Sequence, residues 1–232
     1  MKKNLLIFPF CLLMLFSIVR PGTAASTTVS ISVSDRQIGF SLMQQTAAGF
    51  FQLQVGEFKD YQQSSAPAGL FSVLYLAMET GDSPQAIHKK QKGKGWGKIA
   101  KELGLPANFH GKYMSSKHKH KFSPVNALDD ATYELMMAIR FLHEYYGVDP
   151  ELLYDWYSRG LSDYDLFIAV NLSARLQISP VDLFVLRISG KNWRFIARKY
   201  KVDYDSLGQP VLPNTKFKNN KKIPPGQAKK KK

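Results

Sequence analysis

Ser179-Pro180, followed by Gly190-Lys191-Asn192-Trp193-Arg194-Phe195-Ile196-Ala197, repeats a phrase met earlier as Ser83-Pro84 and Gly93-Lys94-Gly95-Trp96-Gly97-Lys98-Ile99-Ala100. Each part of the phrase has a physical reading. Ser before Pro is an N-cap ahead of the first helical position, where a missing N–H is no loss. The downstream glycine suits the left-handed residue that ends a helix. Trp, Ile and Ala then fall on one side of a further helix, continued by Leu103 in the first copy and Tyr200 in the last. A middle copy, Asp149-Pro150 with Gly160, lacks the tryptophan and carries Asp163, Leu166, Phe167 and Val170 in the third helix. That helix opens on Ser162 and Asp165, spaced as a capping box.

Alignment on Pro84, Pro150 and Pro180 extends the pattern upstream. Leu70, Val73 and Leu76, then Met136, Ile139 and Leu142, then Leu166, Ala169 and Leu172 occupy matching places, one helical face each. Ile87, Leu153 and Leu183 follow the prolines at equal distance. Residues from about Asp163 to Leu176 therefore serve twice, as the third helix of the middle unit and the first of the last. Units that share a helix are stacked, burying faces that none could bury alone.

The expected fold is mainly α: stacked three-helix repeat units, with a short N-terminal β segment and a disordered basic C-terminal tail. Unit 1 covers residues 70–105, and units 2 and 3 cover 129–205. A basic His/Lys-rich insertion at 106–128 separates them. The β segment is expected over 26–61, because Val29, Ile31 and Val33 alternate with polar residues, as do Phe51, Leu53 and Val55. A linker is expected over 62–69, rich in Gln, Ser, Ala and Pro. Beyond about Asp205, prolines interrupt a run of Asn and Lys, which reads as the tail over 206–232.

Residues 1–25 read as a cleaved bacterial signal peptide: Lys2 and Lys3, an apolar stretch from Leu5 to Val19, then Thr23-Ala24-Ala25. The expected location is periplasmic or secreted, with no transmembrane span after cleavage. The sole cysteine, Cys11, falls inside that signal, so the mature chain folds by burial and without disulfides.

Charge is segregated. The chain holds 32 basic and 18 acidic residues. Ten lysines stand between Lys89 and Phe122 against Glu102 alone, and fourteen basic residues between Arg187 and Lys232 against Asp203 and Asp205. Between these blocks, Asp129 to Asp165 holds nine carboxylates against Arg140 and Arg159. Several carboxylates sit where helix N-termini favour them, including Asp149, Asp163 and Asp165.

Gly93 to Leu105 resembles the part of a helix-turn-helix unit that precedes the recognition helix, but Leu105-Pro106-Ala107-Asn108 is a poor start for such a helix. The plainer reading makes Trp96 and Trp193 core anchors. Over most of its mature length the chain is similar to a group of exported bacterial proteins with helical, helix-turn-helix-like repeats. The shared features are Gly49-Phe50-Phe51-Gln52-Leu53-Gln54-Val55-Gly56, the Ser-Pro and Gly-x-x-Trp-x-x-Ile-Ala phrases, and Tyr145-Tyr146-Gly147-Val148-Asp149-Pro150. The resemblance implies a fold, with a strand at the aromatic pair, and carries no activity.

No catalytic constellation emerges. Ser41-Leu42-Met43-Gln44-Gln45-Thr46-Ala47 resembles a lytic transglycosylase signature, yet the glutamic acid that would protonate a glycosidic oxygen is missing before it. His118 and His120 stand among lysines that repel cations, so neither metal nor cofactor is expected. Polyanion contact is assigned instead to Lys89, Lys90, Lys92, Lys94, Lys98, Lys112, Lys117, His118, Lys119, His120, Lys121, Lys229, Lys230, Lys231 and Lys232. The expected function is non-catalytic binding of a polyanion or acidic envelope component. Self-association into a structural envelope assembly is the alternative. Nucleic acid is a partner only without sequence specificity.

Overall fold

The computed structural model describes residues 31–53, 69–106, 109 and 129–212, and the chain is mainly helical. In chain order the helices are α1 (Val33–Phe51), α2 (Gly69–Thr80), α3 (Pro84–Gln91), α4 (Trp96–Glu102) and α5 (Asp130–Tyr146). They continue as α6 (Pro150–Ser158), α7 (Asp163–Leu176), α8 (Pro180–Ile188) and α9 (Trp193–Lys199), followed by a short 3-10 helix, Asp205–Gly208.

The local signals act as their chemistry requires. Pro84, Pro150 and Pro180 each open a helix, and Ser83, Asp149 and Ser179 accept a backbone N–H from inside it. Ser162 and Asp165 form the reciprocal capping box of α7. Gly93, Gly160 and Gly190 take φ values of 73°, 105° and 83°, a region that penalises any side chain.

The apolar stripes face inward. Leu70, Val73 and Leu76 of α2, Met136, Ile139 and Leu142 of α5, and Leu166, Ala169 and Leu172 of α7 are all buried, as are Ile87, Leu153 and Leu183. α5 packs on α2 and α7, and α7 also receives α1 and α8. At the meeting point Phe141 lies 4.5 Å from Phe71 and 5.8 Å from Phe167, with Phe50 of α1 at 5.3 Å, measured between ring centroids. Four helices thus share one aromatic centre. α3 and α4 form a corner against α2 and α5, and α8 and α9 form another that reaches the centre through α7.

The N-terminal segment differs from expectation. Val33 and Phe51 are the two ends of α1, Leu53 follows it outside any regular element, and no strand occurs among the described residues. The alternation that suggested strands occupies only the ends of the segment. Between them Asp35, Gly39, Leu42, Met43, Thr46 and Ala47 are buried at helical spacing. Ser32 caps the start by accepting from the Asp35 N–H. Gly39 lets α1 approach α7 closely, since a Cβ there would stand 2.8 Å from the Tyr164 ring. The strand expected at the Gly49–Gly56 aromatic pair is likewise replaced, through Phe51, by the last turn of α1. Residues 26–30 and 54–61 lie outside the described residues.

Residues 206–212, expected as part of the tail, are instead held against the helices. Leu207 and Gly208 are buried in the 3-10 helix, which packs on α1 and α7. Asn171 of α7 donates to the Gln209 carbonyl and accepts from the Val211 N–H, while Arg175 donates to Ser206 and Gln209. One apolar side chain and two polar clamps hold a stretch whose composition reads as unstructured. The stretch expected as a signal peptide, residues 62–68 of the expected linker, most of the insertion and residues 213–232 lie outside the described residues, and Gly69, the last residue of that linker, opens α2.

Candidate functional site

The α3–α4 corner gathers the described part of the expected basic site. Lys89 and Lys90 end α3, Lys92 follows it, and Lys98 and Lys101 project from α4, all exposed. The half-exposed Lys94 bonds both oxygens of Glu102, at 3.0 and 2.8 Å. That hydrogen bond holds the Glu102 carboxyl below its ordinary range, and Lys98 and Lys90 add to the effect by charge. One carboxylate therefore sits among several ammonium groups, which leaves the corner strongly positive. Beside it an open depression is lined by His88, Gln91, Lys92, Gly93, Lys94, Gly95 and Asp130.

The remaining predicted residues are not placed. Lys112, Lys117, His118, Lys119, His120, Lys121, Lys229, Lys230, Lys231 and Lys232 lie outside the described residues. Among the described residues no group of three or more His, Cys, Asp and Glu is arranged to hold a metal. Nor is any described helix long and apolar enough to cross a membrane.

Trp96, fully buried, fixes the basic corner to α5. Its backbone N–H donates to Asp130 Oδ1 at 2.7 Å, and its indole N–H donates to Glu134 Oε1 at 2.8 Å. Burial pushes the Glu134 carboxyl up, the indole opposes that shift, and the charges of Asp130 and Asp163 reinforce it. Asp163 is pushed up to about 6, chiefly by burial. Trp193 makes the parallel contact with α7, donating to Asp165 Oδ1 at 2.8 Å. There Arg187, 1% exposed, shares the same oxygen at 2.8 Å and also donates to the Lys191 carbonyl.

A third polar cluster joins α2 to α5. Arg140 reaches Glu79 at 2.9 Å and Glu144 at 3.0 Å, its guanidinium 3.9 Å above the Tyr75 ring. The Tyr75 hydroxyl donates to Glu144 at 2.7 Å. These partners tie a buried cation to carboxylates at the edge of the core, an arrangement that orders the helices. Compared with models of known protein families, with functionally described proteins and with solved structures, the chain matches none.

Other sequence-derived candidates resolve into packing. Within Ser41–Ala47, Leu42, Met43 and Ala47 are fully buried, and the Thr46 hydroxyl donates to the Leu42 and Met43 carbonyls. Asp35, the only acid between Ser26 and Gln45 in the sequence, is 3% exposed and accepts from the Tyr204 hydroxyl at 2.6 Å. After α9 the position of a recognition helix is taken by Val202 to Tyr204 and the 3-10 helix. Sequence reasoning missed the roles of Glu134, Arg187 and Arg140. Carboxylate–tryptophan and carboxylate–arginine pairings between helices accompany their burial.

Proposed function

We propose that the protein is a non-catalytic binding protein of three stacked helical units, exported, which holds polyanions or acidic envelope components through its basic segments. The observation that supports this most is the α3–α4 corner, where Glu102 faces Lys90, Lys94 and Lys98 together. Exposed cations at that density raise the local concentration of anionic chains and bind them by releasing counterions. The buried Trp96 holds the corner rigid, so its charges converge without the ordering cost of a free loop. The lysines of the insertion and of the C-terminus extend the same chemistry. The helical units act as the scaffold, and the polar groups inside them serve packing.

The test is retention of the purified chain on heparin as salt is raised. The triple variant K90A/K92A/K98A should elute at clearly lower salt than the wild type while its thermal melt is unchanged. Elution of the variant with the wild type would remove the corner from the site.

A further inference from the structure

We propose that the outer face of α9 is a second binding surface, which takes single-stranded nucleic acid by phosphate contact and base stacking. The proposal rests on the reading of the protein as a polyanion binder and adds a site and a partner class to it. α9 buries Trp193, Ile196 and Ala197, so its other side carries Arg194, Phe195, Arg198 and Lys199 in a continuous arc. At 100° per residue these four span about 140° of the helix surface. Lys191 and Lys201 flank the arc, and all five cations are exposed.

Two observations separate this face from the α3–α4 corner. The corner contains an ion pair, Lys94 with Glu102, whereas none of the five α9-face cations has a carboxylate within ion-pair distance among the described residues. Three of them lie over aromatic rings instead: Lys191 over Phe195 at 5.2 Å, Arg194 over Tyr204 at 4.1 Å, and Lys199 over Tyr200 at 5.8 Å. Phe195 is 38% exposed. Cations interleaved with an accessible ring are the elements that hold an unpaired strand: the charges follow the phosphates and the ring receives a base. A duplex keeps its bases stacked internally, and a sulfated glycan has no flat aromatic base to offer Phe195. The observations therefore favour a single strand over either.

The experiment uses the full chain and a fluorescent oligothymidylate in anisotropy titrations between 50 and 200 mM salt. The wild type should bind the oligonucleotide more tightly than a duplex with the same number of phosphates. F195A should weaken binding about tenfold at an unchanged salt slope, because stacking is lost and charge is kept. R194A/R198A should weaken binding and lower the slope by about 1.4. Both variants alter exposed side chains, and unchanged melting temperatures confirm that they fold. Wild-type affinity in F195A, or equal affinity of the wild type for the duplex, overturns the proposal. K90A/K92A/K98A separates the two readings. If that variant loses heparin retention while the α9 variants bind the oligonucleotide normally, only the α9 proposal fails. If heparin retention ignores the corner while the α9 variants lose the oligonucleotide, only the corner assignment fails.

Discussion

The two tryptophan corners bury the same side chain against a carboxylate and leave that carboxylate in opposite electrostatic settings. At the last corner Asp165 accepts from Trp193, Arg187 and both the N–H and the hydroxyl of Ser162, so its charge is shared among four donors and offset by a guanidinium. At the first corner Glu134 accepts from Trp96, no cation among the described residues lies within ion-pair distance, and burial pushes its proton affinity up. The backbone differs in the same sense. Asn192 caps α9 from within the corner, whereas Gly95 cannot cap α4 and Asp130 reaches across from α5 to do so. A repeated phrase thus specifies a plug, while the helix that receives it decides whether the plug depends on acidity.

The largest effect expected from this contrast is at Asp165. Asp165→Ala removes the capping box, the indole acceptor and a carboxylate that pairs with a buried arginine. Breaking a buried pair on one side costs about 3–5 kcal/mol. Glu134→Ala strands only a neutral indole N–H, which costs about 1–3 kcal/mol. Urea unfolding of both variants at neutral pH checks the order. Equal losses would mean that the arginine contributes nothing to the difference between the corners.

The second contrast is in pH. Asp163 and Glu134 both have carboxyls raised above their ordinary values, so both bind protons more readily in the folded chain than in the unfolded one. Their stabilising contribution is complete below the unfolded value and is lost as pH rises through the folded value, about 6 for Asp163. Asp163→Asn keeps a carbonyl for the Tyr164 N–H, which Asp163 now accepts at 2.9 Å. The variant should match the wild type near pH 3.5 and exceed it above pH 7 by on the order of 1–3 kcal/mol. Glu134→Gln should move in the same direction, with Trp96 still bonded. Asp130 and Asp165 add repulsion around the pair and Arg36 opposes it at Asp163, so none of these neighbours is altered in the test. Melting curves at the two pH values decide the matter, and an advantage independent of pH would exclude ionisation as its source.

Much of this frame is legible in the sequence because it rests on local chemistry. A Ser-Pro cap, a left-handed glycine and a three-and-four stripe need only neighbours, and Leu70, Ile87, Trp96, Ile139, Leu183 and Trp193 are buried where that chemistry places them. The α1 helix was hidden because a strand period at each end competed with a helical period between them. The hold on residues 206–212 was hidden for another reason. It depends on Asn171 and Arg175, which stand more than thirty residues away and carry no local signature. For the candidate site, the positive corner follows from counting lysines. The indole acceptors do not, since Glu134 and Asp165 are identified only by the helix packing that brings each beneath its tryptophan.

The smallest predicted effect isolates the caps. Asn192 Oδ1 accepts from the Phe195 N–H at 2.8 Å, and Asn192→Ala leaves that donor to water at about 1 kcal/mol. Asn192→Gly should lose only a few tenths, because glycine is itself tolerated at a cap. It would also make the last corner resemble the first without giving it Asp130. Gly95→Ala is the converse change and is sterically opposed, since a Cβ there would stand 2.9 Å from Asp130 Oδ1. The expected order of loss in chemical denaturation is therefore Asn192→Gly below Asn192→Ala, with Gly95→Ala weakening the Asp130 bond to Trp96. If Gly95→Ala were neutral while Asp130→Ala remained costly, Asp130 would be stabilising α5 alone. The capping across helices that distinguishes the two corners would then lose its support.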